Sequence, residues 1–382
     1  MKKKLVFFGG TFDPPHKEHQ QIVKACSEEL NPEKIIIMPT IIPPHKKTFM
    51  SASPLRRLEM CKIAFGGIKN VEVSDWELAK KGKSYSYLTI KRIASEYPDY
   101  EIYFLMGTDM LSSFHTWKAP QEILKLATPL LCERMGEGES ASQTVNNFYE
   151  KFNTKVETLS YVGKKLSSTE IKVKKLLKQD LSLWLDDGVN RLIDRHFLYN
   201  GGKIADFTVN NLTQSRIEHT KGVILLALKY AKIQGVCLKK TLTSALLHDV
   251  AKYLDKKDYP NFTMPKGVPK LVEHQYLGAY VAEVVLGIKN KEILNAIKYH
   301  TSAKPNMSAL AKIIFTADML EEGRTYEGVE EIRRLSFVDF DKAFILSLER
   351  LIEYVKIRCS ELYPLSCKAY EYYTSQKNKA KN

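Results

Sequence analysis

Two kinds of periodicity divide this chain. From its start to about residue 200, short runs rich in β-branched and aromatic residues alternate with stretches whose apolar side chains recur every three or four positions. The short runs, at residues 4–8, 34–38, 70–74, 101–106, 129–132 and 155–159, predict strands. Stretches such as 22–30, 55–64 and 88–96 gather apolar residues on one helical face and predict helices between them. Strand and helix in alternation imply an α/β doubly wound parallel sheet with helices on both faces. After the Tyr-Asn-Gly-Gly of residues 199–202 the β-runs stop. The rest reads as amphipathic helices joined by short polar or Pro- and Gly-containing loops. A junction near residue 200 is therefore expected, with domains over 1–200 and 207–382.

The length of 382 residues suits two ordinary cores. The 44% hydrophobic content is that of a globular protein, and no apolar run approaches the roughly 20 residues a bilayer span needs. No membrane partner is expected. Lys2-Lys3-Lys4 precedes an apolar stretch far too short for a secretory leader, so a cytoplasmic protein is expected. The six cysteines are scattered without a C-x-x-C pair, which argues against a disulfide framework or a thiolate zinc site. A net charge of +14 admits either nucleic acid or phosphorylated small molecules as partners. Because the lysines are spread along the chain, small phosphorylated molecules are the expectation and nucleic acid is not. The charged tail 377–382 reads as a solvated terminus.

The first strand runs into Gly9-Gly10-Thr11 and then Phe12-Asp13-Pro14-Pro15-His16-Lys17-Glu18-His19. A glycine turn and a helix start are thereby brought to the carboxyl edge of the sheet, where doubly wound folds bind ligands. Glycine lets the backbone approach phosphate oxygens, and His16 and His19, three residues apart, are expected to share a helical face and flank one triphosphate. A second phosphate signal is Ser167-Ser168-Thr169-Glu170-Ile171-Lys172, where Ser167 and Glu170 are spaced as a capping box and the free N–H groups of the helix start would hold an anion.

Together these strings resemble bacterial nicotinate-nucleotide adenylyltransferases, Rossmann-like enzymes of the nucleotidyltransferase α/β phosphodiesterase superfamily, over about residues 3–199. Pro43-Pro44-His45-Lys46, Ser84-Tyr85-Ser86 with Thr89, Met106-Gly107-Thr108-Asp109 with Phe114 and Trp117, Arg134 and the closing Ile193 to Tyr199 extend the likeness. The resemblance implies in-line attack by the phosphate of nicotinate mononucleotide on the α-phosphorus of ATP, with Mg2+ on the triphosphate, giving deamido-NAD and pyrophosphate. Catalysis would be positioning and charge stabilisation, with Thr11, His16, His19, Lys46, Ser168 and Lys172 as donors. The likeness further assigns substrate or nucleotide contacts to Gly9, Gly10, Phe12, Ser84, Tyr85, Thr89, Gly107, Asp109, Arg134 and Thr169, with Trp117 facing the nicotinate ring. Three residues depart from the family's pattern: Glu18 stands for the usual Gly, Leu88 for Asp and Lys172 for Arg. Lys172 offers a point charge in place of a bidentate fork. Glu18 is expected either to repel the triphosphate or to face solvent.

In the helical half His219, His248-Asp249, His274, His300 and Asp318 include four of the nine histidines. Imidazole with carboxylate suits Fe, Mn or Zn, and six ligands exceed one tetrahedral site while fitting two ions bridged by a carboxylate. The order of these residues resembles the HD-domain phosphohydrolases. Their flanks, Arg216 to Thr220, Leu247 to Lys252, Gly278-Ala279-Tyr280 and Thr301-Ser302, narrow the likeness to the HD-type symmetrical diadenosine tetraphosphatases over about 207–365. That family implies cleavage of diadenosine tetraphosphate into two ADP, usually with iron. It would make Asp249 the bridging ligand and Lys252, Arg324 and Arg333 candidates for holding phosphate oxygens. The rival readings are another adenylyl- or cytidylyltransferase, against which Pro43 to Lys46 and Trp117 argue, and a different HD phosphohydrolase or a non-catalytic nucleotide-sensing module. An oligomer is compatible with either reading.

Overall fold

The computed structural model describes residues 2–41, 50–79, 85–135, 140–358 and 361–379. Pro43, Pro44, His45, Lys46 and Ser84 of the expected site lie outside the described residues. The chain divides into two compact units. One holds the residues up to Lys175 together with Asp180–Tyr199; the other holds Leu176–Gln179 and the chain from Asn200.

Among the described residues the first unit contains six strands: β1 (Lys3–Gly10), β2 (Lys34–Pro39), β3 (Val71–Val73), β4 (Tyr100–Gly107), β5 (Thr128–Cys132) and β6 (Glu157–Thr158). They pair in parallel in the order β3-β2-β1-β4-β5-β6. Successive side chains of a strand point to opposite faces. In β1, Val6 and Phe8 join Ile35, Ile37, Leu105 and Leu130 in one core, while Leu5 and Phe7 join Ile36, Met38, Phe104 and Met106 in the other. Burial on both faces is why the central strands are continuously apolar. The outermost strands are shorter than their sequence runs, three residues in β3 and two in β6, because an edge strand has one neighbour to pair with. Sheet order reverses between β1 and β4, and both strands end in glycine at the same edge, at Gly10 and Gly107. A crevice at this reversal point is where such sheets bind ligands.

The second unit is helical. The helices Gln214–Ile233, Leu238–Leu247, Glu273–Val284, Lys291–Lys298 and Ala309–Leu320 carry or immediately precede the residues of the His/Asp cluster. Ala309–Leu320 is buried around nearly its whole circumference, from Leu310 through Phe315 to Leu320; Gln214–Ile233, Leu238–Leu247 and Lys291–Lys298 pack on it, and Glu273–Val284 packs on Lys291–Lys298. No described helix is long and apolar enough to cross a membrane. Cys26, Cys61 and Cys132 are free, buried thiols; burial raises the pKa of Cys132 to about 11.

Candidate functional site

At the end of β1 the glycine pair lies close against two aromatic rings. A Cβ on Gly9 would lie 2.9 Å from the Phe7 ring, and one on Gly10 would lie 3.0 Å from the Phe12 ring. Phe12 adopts a left-handed backbone (φ 46°) and turns its ring into the core, edge-on to Phe8 and Phe65. The expected nucleotide contact of Phe12 is therefore not available to its side chain, which is buried.

Asp13, within the motif but not among the expected ligands, is the hub of this turn. Its Oδ1 accepts from the Ala52 N–H (3.0 Å) and the Tyr199 hydroxyl (2.7 Å), and its Oδ2 from Lys172 Nζ (3.2 Å). The buried Arg57 adds donations to the carbonyls of Thr11 (2.7 Å) and Ile41 (2.8 Å). Lys172, expected to hold phosphate, is thus engaged with a buried carboxylate, and both side chains are almost fully enclosed. Sequence reading missed the pair because its partners are 159 residues apart. Ser168 is similarly committed, its hydroxyl donating to the Pro14 carbonyl (2.9 Å). The helix Ser168–Leu176 begins beside this turn, and Ser167 Oγ accepts the Glu170 N–H (3.1 Å).

His16 stands beside His19 at the helix start. It is the extended N-cap of the helix Lys17–Leu30, and its ring stacks on that of His19 at 3.6 Å. The His16 N–H donates to His19 Nδ1 (3.2 Å). Burial, aided by the Arg134 charge, lowers the His16 pKa to about 3, so the imidazole is neutral. Arg134 follows β5 and bridges to Gly163. Glu18 takes neither expected course. It is 5% exposed, and its Oε1 accepts from the Tyr161 hydroxyl (2.7 Å) and the Lys164 N–H (2.9 Å).

Across the switch point, Gly107 caps the short helix Thr108–Ser113, which carries the exposed Asp109. Trp117 is half-buried against Phe114 (5.2 Å) and Phe104 (6.0 Å). Tyr85 is half-buried beneath Lys118 Nζ at 4.7 Å, Thr169 is half-buried and Leu88 is 40% exposed. Thr89 is fully buried and its hydroxyl donates to Glu77 Oε1 (2.5 Å), so the contact expected of it is replaced by an internal one. The turn from Gly9 to His19, Arg134 and the start of the Ser168 helix come together at one sheet edge, while Thr89 and Phe12 face inward.

In the second unit the six expected ligands converge as two triads, His219/His248/Asp318 and Asp249/His274/His300, and the ligand atoms within each lie within 4.8 Å of one another. Asp249 joins them. Its Oδ1 lies 3.2 Å from His274 Nε2 and 3.4 Å from His300 Nε2, and its Oδ2 lies 3.6 Å from His248 Nε2 and 3.9 Å from His219 Nε2. The Nδ1 atoms are held from behind: His248 by the Ala245 carbonyl (2.7 Å), His300 by the Ile297 carbonyl (2.7 Å) and His219 by Glu321 (3.1 Å). Such partners fix the tautomer and aim Nε2 inward. The Nε2 atoms of His219 and His248 stand 3.3 Å apart, as do those of His274 and His300. Cations between them satisfy that arrangement, and the nitrogen and oxygen donor set suits Fe, Mn or Zn. Burial lowers the His248 pKa to about 3, leaving it neutral, the form that binds metals. Burial opposes ionisation of Asp249 and Asp318, yet the imidazoles of His248, His274 and His300 hold the first carboxyl, and Arg324 with His219 the second, well below the usual range.

Lys252 Nζ stands 4.0 Å from Asp249 Oδ1, and Arg324 Nη2 2.6 Å from Asp318 Oδ1. Arg333, also expected to hold phosphate, is otherwise engaged. It donates to the carbonyls of Leu320, Glu321 and Arg324 and pairs with Glu330, which fastens the carboxyl end of the Ala309–Leu320 helix. Sequence reading missed Glu321, one helical turn from Asp318, and the hydroxyl of Thr301, 2.9 Å from His300 Nε2.

Residues 7–174 match the family described as cytidylyltransferase-like, and residues 216–323 match the HD domain. A Mycoplasma genitalium protein named "Probable nicotinate-nucleotide adenylyltransferase/Ap4A hydrolase" is 30% identical over 367 residues, which cover 93% of this chain and 100% of that protein. An Aquifex aeolicus "Probable nicotinate-nucleotide adenylyltransferase" is 34% identical over 43% of this chain and 99% of its own length. A Halalkalibacterium halodurans "Bis(5'-nucleosyl)-tetraphosphatase, symmetrical" is 34% identical over 45% of this chain and 95% of its own length.

Proposed function

Because the chain belongs to the family in which a nicotinate-nucleotide adenylyltransferase is fused to an HD-domain Ap4A hydrolase, we propose that it carries out both reactions. In the first, a phosphate oxygen of nicotinate mononucleotide attacks the α-phosphorus of ATP, the α–β anhydride bond breaks, and deamido-NAD and pyrophosphate leave. Backbone N–H groups after Gly9-Gly10 and at the start of the Ser168 helix would bind the triphosphate with its Mg2+. The neutral imidazole of His16, the His19 ring and the Arg134 guanidinium would border it. Asp109 and Trp117 would serve the acceptor side. Since Asp13 holds Lys172, Lys172 acts as a positioning residue: it fixes the turn against the Ser168 helix, which suits a reaction driven by placement.

In the second reaction, water cleaves the central anhydride of diadenosine tetraphosphate to give two ADP. The observation that carries this reading is the pair of ligand triads joined by the two oxygens of Asp249. Two divalent cations there, iron above manganese or zinc, would supply Lewis acidity and an activated water. His219, His248 and Asp318 would hold one and His274 and His300 the other, with Asp249 shared; Lys252 and Arg324 would meet phosphate oxygens.

The test is product analysis on purified full-length chain of known metal content. The expected products are ADP alone from diadenosine tetraphosphate, with loss of turnover in His248→Ala, and deamido-NAD from nicotinate mononucleotide and ATP. AMP plus ATP, or no turnover by metal-loaded protein, would overturn the hydrolase half.

A further inference from the structure

The two cations already assigned to the metal site, Lys252 and Arg324, each stand beside one carboxylate oxygen: Lys252 by Asp249 Oδ1 and Arg324 by Asp318 Oδ1. The other oxygen of Asp249 has a partner of its own. Arg216 lies in the first turn of the Gln214–Ile233 helix, three residues before His219 and so on the same helical face. Its Nη1 donates to Asp249 Oδ2 at 2.9 Å. The Asp249 side chain is 3% exposed and that of Arg216 is 25% exposed, so the guanidinium spans from the buried cluster to its mouth.

Resting on the metal-dependent phosphohydrolase reading above, we propose that Arg216 is a phosphate-anchoring residue of this site, holding the bridging carboxylate with one arm of its fork and a substrate oxyanion with the other. A carboxylate oxygen has two lone-pair sites, so Oδ2 accepts from Arg216 while also serving a cation. Guanidinium is a planar fork with five donors, and bonds to Asp249 and the Tyr253 hydroxyl still leave donors for a phosphoryl oxygen. Arg333 makes the contrast, since its donors are spent on three backbone carbonyls and Glu330. Arg216, Lys252 and Arg324 thus set three cationic side chains around two metal triads. That charge distribution fits a chain of phosphates better than a single phosphomonoester. Tyr253, beside Lys252, has its hydroxyl 3.4 Å from Thr213 Oγ1 and is 55% exposed, which adds an aromatic face near the Arg216 end of the site.

The experiment measures inorganic tripolyphosphate binding by calorimetry to the metal-loaded full-length chain and to Arg216→Gln and Arg216→Lys, with metal content determined for each. The expected result is unchanged metal content, affinity at least about tenfold lower in R216Q, as loss of a charge-assisted hydrogen bond predicts, and an intermediate loss in R216K, which keeps the charge but not the fork. KM for diadenosine tetraphosphate should rise more than kcat falls. Tripolyphosphate affinity equal to wild type in R216Q overturns the proposal, and so does loss of metal in both variants, which would make Arg216 only a support for Asp249. Wild-type protein that binds tripolyphosphate through Arg216 but leaves diadenosine tetraphosphate intact would defeat the proposed reaction and not this assignment.

Discussion

Single residues in the first unit show how burial reassigns chemistry that the sequence presents as catalytic. Glu18 looks like a carboxylate misplaced beside a triphosphate, yet it is the acceptor for the Tyr161 hydroxyl and the Lys164 N–H. Glu18→Ala leaves both donors without a partner and should destabilise the unit by about 1–3 kcal/mol. Glu18→Gln retains Oε1 and should stay near wild type; thermal unfolding of the two variants checks this. His16 gives a pH prediction with a definite sign. Its pKa is about 3 in the folded chain against an ordinary 6.5. Between those values the unfolded chain binds a proton that the folded chain does not, so stability present above pH 6.5 is lost as pH falls towards 3. Wild type should lose about 1.4 kcal/mol more per pH unit than His16→Gln in that window, read from denaturant unfolding at a series of pH values; parallel curves would show that His16 is not held neutral. The sequence made the motif legible and left the roles inside it unread. Gly9, Gly10, His16, His19 and Ser168 do gather at one sheet edge. The partner of Lys172 lies on the far side of a sequence gap that no local periodicity bridges.

At the scale of elements, the central strands were the most legible. Burial on both faces writes an apolar run directly into β1, β2 and β4, whereas β3 and β6 keep only the residues that find a neighbour. Helix starts were legible as well where their caps are local, as at Ser53, Ser140, Thr213 and Ser308, but what holds a helix at its carboxyl end was not. Arg333 is the clearest case. An arginine near the metal cluster reads as a phosphate ligand, but its three carbonyl acceptors, at Leu320, Glu321 and Arg324, make it the clamp on the helix that carries Asp318. Arg333→Gln should therefore cost on the order of 2–3 kcal/mol through lost charged hydrogen bonds. It should also reduce metal retention, because Asp318 and Glu321 sit at the loosened end. Tripolyphosphate affinity, measured on variant protein reloaded with metal, should remain that of wild type. A selective loss of that affinity with stability intact would return Arg333 to the substrate-binding role.

At the scale of the molecule, the two halves hold their reactive groups in different ways, and this separates them experimentally. On the proposed reading the first unit would bind through backbone turns and helix starts that need no metal of the protein's own, and its ion would arrive with ATP. The second draws five imidazole and carboxylate side chains around the buried Asp249, where imidazole Nε2 atoms stand 3.3 Å apart in two places and arginines are held against carboxylates at 2.6–2.9 Å. A ligand that binds only the folded form stabilises it by about 2.7 kcal/mol at a hundredfold excess over Kd. Iron or manganese should accordingly raise the unfolding temperature of the second unit, and removal by a transition-metal chelator should lower it. Hydrolysis of diadenosine tetraphosphate should disappear with the metal, while adenylyl transfer assayed with magnesium and ATP should stay within about twofold of its starting rate, since a twofold change corresponds to well under the 1.4 kcal/mol of a tenfold effect. His248→Ala should reproduce the chelated state without chelator. Parallel loss of both activities under either treatment would mean that the centre built on Asp249 supports adenylyl transfer as well, and the assignment of one reaction to each unit would fall.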